Sequence, residues 1–160
     1  ILIPFEFLAD TNAIGRFING FLDAGFNVFL KTRSDFDVSE QLASYCLGER
    51  GSEIIIVHNI TAEIMANVDV VAGSQTTLIF DLMKYEKVVW ILDTDLNLLT
   101  DIPDMGWGRL LHVSDVPRAK QIFDNDVKNK PKVPVDYIFG DRPIAEVLVS
   151  VLNGNAKCVS

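Results

Sequence analysis

The chain has 160 residues, 49% of them hydrophobic and 22% charged, with a formal net charge of −8. That length suits one domain with a real core, and that balance of apolar and charged residues excludes a disordered chain. The acidic charge argues against a general nucleic-acid surface, which needs clustered Lys and Arg, and no apolar run reaches the roughly 18 residues that span a bilayer. A small anionic ligand stays open, because backbone amides and a few local cations hold a phosphate without a basic protein. Cys46 and Cys158 follow no spacing pattern and read as free thiols in a reducing, cytoplasmic compartment. The sequence opens at Ile1 with neither an initiator Met nor a secretory signal, which suggests a fragment, a processed chain or an excised domain.

Two kinds of segment alternate along the chain. Ile1–Phe7 reads as a buried strand. Asn12–Ala24 places Ile14, Phe17, Ile18, Phe21 and Leu22 at helical spacing, and Gly25 suits the C-terminal cap. Val28–Lys31 is the second strand. Asp37 and Glu40 have capping-box spacing for a helix through about Gly48. Glu53–Val57 is a continuous, β-branched third strand, and Thr61 caps a short helix carrying Ile64 and Met65. Val68–Ala72 is the fourth strand, followed by a helix over Thr76–Tyr85 with Leu78, Leu82 and Met83 inward. Lys87–Leu92 and Arg109–Val113 are the fifth and sixth strands. Asp93–Gly108 between them reads as a long loop. A helix over Val116–Val127, capped by Ser114 or Asp115, comes next. The polar, Pro-rich stretch Asn129–Pro134 leads to a last helix over Pro143–Leu152, capped by Asp141. Strands alternating with helices imply βαβ units. The expected fold is therefore a single α/β domain, a Rossmann-like open sheet of about six mostly parallel strands with helices on both faces.

In such a sheet, ligands collect outside the carboxyl ends of the strands. The residues after each strand are therefore the informative ones, and the polar residues concentrate there. The sharpest is Gly73–Thr77 (GSQTT), where Gly73 permits a tight turn. Ser74, Gln75, Thr76 and Thr77 then offer hydroxyls and free amides where a helix begins, a place that favours an anion. Lys31 and Arg33 follow the second strand and can offset a diphosphate, or they are surface cations paired with Asp35 and Asp37. His58 follows the third strand and can donate to a phosphate or a base, or serve structure alone. His112 lies inside a strand-like run and reads as structural. Asp81, one helical turn beyond Thr77, shares that helix face and can reach ribose hydroxyls. No P-loop, G-x-G-x-x-G or G-x-S-x-G motif is present. The scattered His and Cys residues make no metal site, and no cofactor is called for.

The segment VDVVAGSQTTLIFDLMKYEKVVWIL, Val68 to Leu92, resembles the carboxy-terminal nucleotide-binding half of glycosyltransferases with two Rossmann-like domains (GT-B type). It looks most like the CDP-glycerol glycerophosphotransferases and related surface-carbohydrate enzymes. Thr76 and Thr77 match the family's hydroxyl pair, and Asp81 matches its acidic residue. Tyr85-Glu86-Lys87 stands where the family has a Lys-Pro turn. Lys31-Thr32-Arg33-Ser34 looks like its basic segment after an earlier strand, with Arg33 in place of His. Phe139-Gly140-Asp141 looks like the entry to its last helix. Val88 departs from the pattern, which has Pro at that position.

The resemblance implies a donor-binding domain of a glycosyl- or glycerophosphotransferase in surface polysaccharide synthesis, the carboxy-terminal half of a two-domain enzyme. Its partner would be a nucleotide-activated donor. Ser74, Thr76 and Thr77 would hold phosphate oxygens, with Lys31 and Arg33 offsetting their charge, Gln75 and His58 completing the binding set and Asp81 toward the ribose. The amino-terminal half would bind the acceptor, supply the base and make any peripheral membrane contact, so this chain alone is not expected to turn over. Two other readings share the architecture: a non-catalytic α/β interaction module, and half of a nucleotide-sugar epimerase.

Overall fold

The computed structural model describes residues 1–5, 11–32, 47–95 and 97–131. Among them, six strands form one parallel sheet: β1 (Leu2–Pro4), β2 (Val28–Lys31), β3 (Ile54–Val57), β4 (Val70–Gly73), β5 (Val88–Leu92) and β6 (Arg109–Leu111). Their order across the sheet is β3-β2-β1-β4-β5-β6. The chain builds outward from β1 to β3, returns to the middle, and builds outward the other way from β4 to β6. This is a Rossmann-like order, and the six-stranded parallel α/β sheet is the fold class expected of the alternating pattern. The described α-helices are α1 (Thr11–Asp23), α2 (Ala62–Ala66), α3 (Leu78–Met83), α4 (Asp101–Asp104) and α5 (Ala119–Lys128). None of them is long and apolar enough to cross a membrane.

Strands of a parallel sheet are covered on both faces, so they carry continuous apolar runs rather than alternation. β4 (VVAG) and β5 (VVWIL) are buried at every position. On one face Ile3, Leu30, Val70, Ala72 and Trp90 pack with Ile14, Phe17, Ile18 and Phe21 of α1 and with Ala119 of α5. On the other, Leu2, Val71, Val89 and Ile91 pack with Met65 of α2, Ile79 and Leu82 of α3, and Ile102 of α4. Gly25 closes α1 with φ at 75°. Its N–H donates to the Leu22 carbonyl, and the Phe26 N–H donates to that of Phe21. This is the Schellman arrangement, which glycine makes without steric cost. It turns Phe26 edge-on against Phe21 and Trp90, tying the end of α1 to β5.

Thr61 caps α2 as its position predicts, its Oγ1 accepting the Ile64 N–H at 3.2 Å. Other local expectations are corrected. Asp93–Gly108 is not all loop, because α4 sits inside it with Ile102 fully buried. Pro103 is tolerated there because the first turn of a helix does not use the missing N–H. The sixth strand stops at Leu111, two residues short of the expected end. α5 is entered through a 3-10 turn, Val113–Arg118, that contains Pro117. Its N-cap is His112 rather than Ser114 or Asp115. The Asp115 carboxylate accepts the His112 N–H at 3.1 Å from the third position of that turn. α3 is shorter than the helix expected over Thr76–Tyr85. Gly48–Glu53 is a 3-10 helix. The helix expected from Asp37, the last helix over Pro143–Leu152, and Cys46 and Cys158 lie outside the described residues.

Gly20 shows how closely α1 approaches the turn before α5. A Cβ at this position would lie 2.5 Å from Cγ1 of Val116, which is itself buried. Gly20→Ala gains about 1 kcal/mol of helix propensity, but overpacking against a stiff β-branched side chain costs about 1–3 kcal/mol. Urea denaturation should therefore show a net loss of stability. Combining it with Val116→Ala should recover more than additivity allows, because the second change removes the clashing methyl.

Candidate functional site at the carboxyl edge of the sheet

The strand order reverses between β1 and β4, and in open α/β sheets the crevice outside the carboxyl ends at that point binds ligands. The loop from Gly73 to Thr77 leaves β4 there. Gly73 is not a turn residue, a correction to its expected role: it ends β4, and its φ is not among the positive values. What it provides is space. A Cβ would press to 3.1 Å from Cδ1 of Ile79 and 3.9 Å from Cδ of Pro4. The absent side chain lets α3 settle on the β1–β4 junction, which brings the polar loop close to the sheet edge.

Ser74 and Thr76 are buried, Gln75 is half-buried and Thr77 is exposed. The Ser74 carbonyl accepts the Leu98 N–H at 2.8 Å, so the segment after β5 folds against this loop. The Thr76 Oγ1 accepts the Leu78 N–H at 3.2 Å and so caps the first turn of α3. Thr77 makes no side-chain cap bond and keeps its hydroxyl free. Two buried polar atoms at this edge, Nε2 of Gln75 and Oγ1 of Thr94, have no hydrogen-bond partner. Leaving a buried donor or acceptor unpaired costs about 1–3 kcal/mol, so each such atom asks for a partner. Because α3 has only six residues, its dipole is weaker than that of the longer helix expected. More of any affinity for an anion therefore falls to loop amides and hydroxyls.

The remaining predicted residues are spread along the same edge. Lys31 ends β2, two strands from β4, or about 10 Å at the usual strand spacing. It is in register with Pro4, the last residue of β1. His58 follows β3, about 14 Å from β4 by the same count. It is exposed, and its Nδ1 lies 3.1 Å from the hydroxyl of Thr32, which is fully buried. Asp81 is exposed on α3. Arg33 lies outside the described residues. Ser74–Thr77 and Asp81 thus share one loop and helix, Lys31 stands across β1 from them, and His58 is a strand further out. No Lys or Arg occurs between Val70 and Met83 or between Leu92 and Gly108. On the described strand ends flanking this loop, positive charge comes from Lys31.

Sequence reasoning missed three features here. Thr32 positions His58, and Thr94 lies buried at the end of β5. His112, expected inside a strand, follows β6 instead, half-exposed, with its Nδ1 2.6 Å from Oδ2 of Asp93. Thr32, Asp93 and Thr94 all lie just after a strand, where the informative residues of such a sheet are expected. Nothing in the local sequence marked the pairing with His112, which depends on β5 and β6 being neighbours.

A cleft of about 410 Å³ lies at the opposite, amino end of β5 and β6, beside Lys87, Trp107, Arg109 and Asp126. Its Arg109 and Asp126 are already paired with each other, and Lys87 and Lys130 line it as well. Arg109 grips Asp126 with two nitrogens, at 2.6 Å and 2.9 Å, and the indole N–H of Trp90 donates to the same carboxylate at 2.9 Å. This arrangement holds the sheet to α5 and occupies the carboxylate of the cleft. Compared with protein-family models and with curated proteins, the chain matches none.

Burial alone would raise the pKa of Asp126, but the hydrogen bonds from Arg109 and Trp90 and the guanidinium charge hold it below the usual carboxylate value. A depressed native value stabilises the fold above the unfolded carboxylate's titration near pH 3.9. That contribution disappears as the pH falls through the native value. Asp126→Asn should therefore destabilise the protein at neutral pH by on the order of 1–2 kcal/mol, a modest figure because Arg109 is 42% exposed. Denaturant titrations at successive pH values should show the gap between parent and variant closing below about pH 4.

Proposed function

We propose that the chain is the donor-binding domain of a transferase. It would take a nucleotide-diphosphate sugar or CDP-glycerol, in surface polysaccharide synthesis, with the acceptor site on a second Rossmann-like domain. The observation that carries this reading is the polar Gly73–Thr77 loop at the carboxyl edge beside the reversal of strand order, where Gln75 Nε2 is buried without a partner. In this reading Ser74, Gln75 and Thr77 hold phosphate oxygens, and Lys31 offsets their charge across the end of β1. His58 lies further along the same path, Arg33 would add its charge to that of Lys31, and Asp81 reaches the ribose. Transfer then works by positioning the donor and stabilising the departing nucleotide. The resemblance of Val68–Leu92 to such enzymes supports the same assignment.

A second reading, a non-catalytic interaction module, draws on the edge strand β3, where Ile55 and Ile56 are 50% and 39% exposed. Nucleotide binding separates the two. Calorimetry with CDP-glycerol, UDP-sugars and GDP-sugars should detect a complex with at least one of them, and silence with all three classes would favour the interaction module.

The two threonines should respond differently. Thr77→Val removes an exposed hydroxyl that caps nothing, so it should weaken nucleotide binding about tenfold, the loss of one hydrogen bond to a charged group, while thermal stability stays unchanged. Thr76→Val should cost about 1 kcal/mol of stability through the lost cap as well as some affinity. Lys31→Ala should weaken binding more at low salt than at high salt, since its contribution is mainly electrostatic. Unchanged affinity in the Thr76→Val/Thr77→Val pair would remove this loop as the phosphate site.

A further inference from the structure

Beyond the donor loop, the same edge carries the His112–Asp93 pair. The Asp93 N–H donates to the Leu111 carbonyl at 2.9 Å, which extends the β5–β6 ladder to the residue that holds the histidine. His112 is extended, with its backbone N–H on Asp115, whose other carboxylate oxygen takes an Nη2–H of Arg118 at 3.0 Å. Asp93 is thus the charged group on the imidazole itself, while Asp115 holds the backbone of His112 and Arg118 is paired with Asp115. A carboxylate can only accept, so the 2.6 Å contact places a proton on Nδ1 and leaves Nε2 of the neutral ring as a free base. The imidazole is 53% exposed, open to an incoming molecule. Gly73 pairs with Ile91 and Leu92 with Leu111. The loop after Gly73, Asp93 after β5 and His112 after β6 therefore leave the same edge of three neighbouring strands, with β4 and β6 about 10 Å apart at the usual strand spacing.

We propose that His112 is the proton acceptor for a hydroxyl-bearing acceptor attacking a donor held on the Gly73–Thr77 loop, with Asp93 as its positioning residue. The inference rests on the transferase reading and goes beyond it by assigning the base to this domain. In the step, the hydroxyl proton passes to Nε2 of His112. The hydroxyl oxygen forms the new bond to the donor's electrophilic centre, and the bond to the nucleotide phosphate breaks, its electron pair leaving with the nucleotide. Asp93 stabilises the resulting imidazolium, which then returns its proton to water.

The test follows slow release of nucleotide from CDP-glycerol, UDP-glucose and GDP-mannose, with water as acceptor, in the intact protein. For any donor that binds, His112→Gln should lower kcat at least 100-fold, leave KM within about twofold and abolish the acid limb of the pH–rate profile. Asp93→Ala should lower kcat less and displace that limb. Nitrogen-15 spectra of the neutral imidazole should show the Nδ1–H tautomer, which Asp93→Ala should lose. An Nε2–H tautomer overturns the proposal whether or not a nucleotide binds. So does a His112→Gln protein that keeps its rate and acid limb, or a parent that binds a donor and never releases nucleotide. A parent that binds none of the three donors instead overturns the transferase reading, and the base assignment falls with it.

Discussion

A parallel strand in the middle of a sheet must be covered on both faces, and that requirement organises this chain. Leu2 and Ile3 of β1 and the whole of β4 sit between two helical layers, with essentially no exposed surface. No polar side chain fits inside such strands without a partner, so polarity is displaced to their ends. Gly73 marks the boundary. It is the last residue that must still accommodate a neighbour, Ile79, and the residues after it are free to be polar. The crossover after β3 returns the chain to the middle of the sheet, so the ends of β1 and β4 diverge into opposite connections and leave a crevice between them.

The two edges of the sheet treat their polar groups differently. At the amino end of β5 and β6, Asp126 is matched by Arg109 and Trp90, a closed set that rewards the folded state. At the carboxyl end, Gln75 and Thr94 keep buried polar atoms unpaired, and the Asp93–His112 pair stands half in solvent. Unpaired buried atoms cost stability in the isolated chain and recover it when a partner arrives. This contrast ranks the carboxyl edge above the cleft at the other end, although the cleft is a clear concavity. Function is better judged by unsatisfied chemistry than by volume alone.

The dimensions of the edge also sort its residues. Ser74–Thr77 and Lys31 are separated only by β1, so one extended phosphate-bearing ligand can engage both. His58 is a strand further out and tied to Thr32. His112 lies on the opposite side of the loop, five strands from β3. The two histidines therefore cannot serve the same atom, and any division of labour between them follows from the order of strands.

Much of the fold was legible in the amino-acid sequence. Continuous apolar runs rich in β-branched residues, such as Ile54–Val57 and Val88–Leu92, are strands. The 3.6-residue stripe from Ile14 to Phe21 makes α1, and Gly25 and Thr61 act as caps through local geometry alone. The position of Gly73–Thr77 after a strand was equally local. What sequence reasoning could not supply was anything decided by neighbours distant in the chain. Gly73 looked like a turn because its contact with Ile79 and Pro4 exists only once α3 packs on the sheet. Ser114 and Asp115 looked like caps because the 3-10 entry to α5 depends on how the chain leaves β6. His112 looked structural because its partner, Asp93, is nineteen residues away and meets it only through the β5–β6 ladder. Hydrophobic period and capping chemistry act over a few residues, and so the sequence by itself determined the elements. Strand order, and with it the grouping of the polar ends, is a long-range packing outcome that the tertiary structure alone decided.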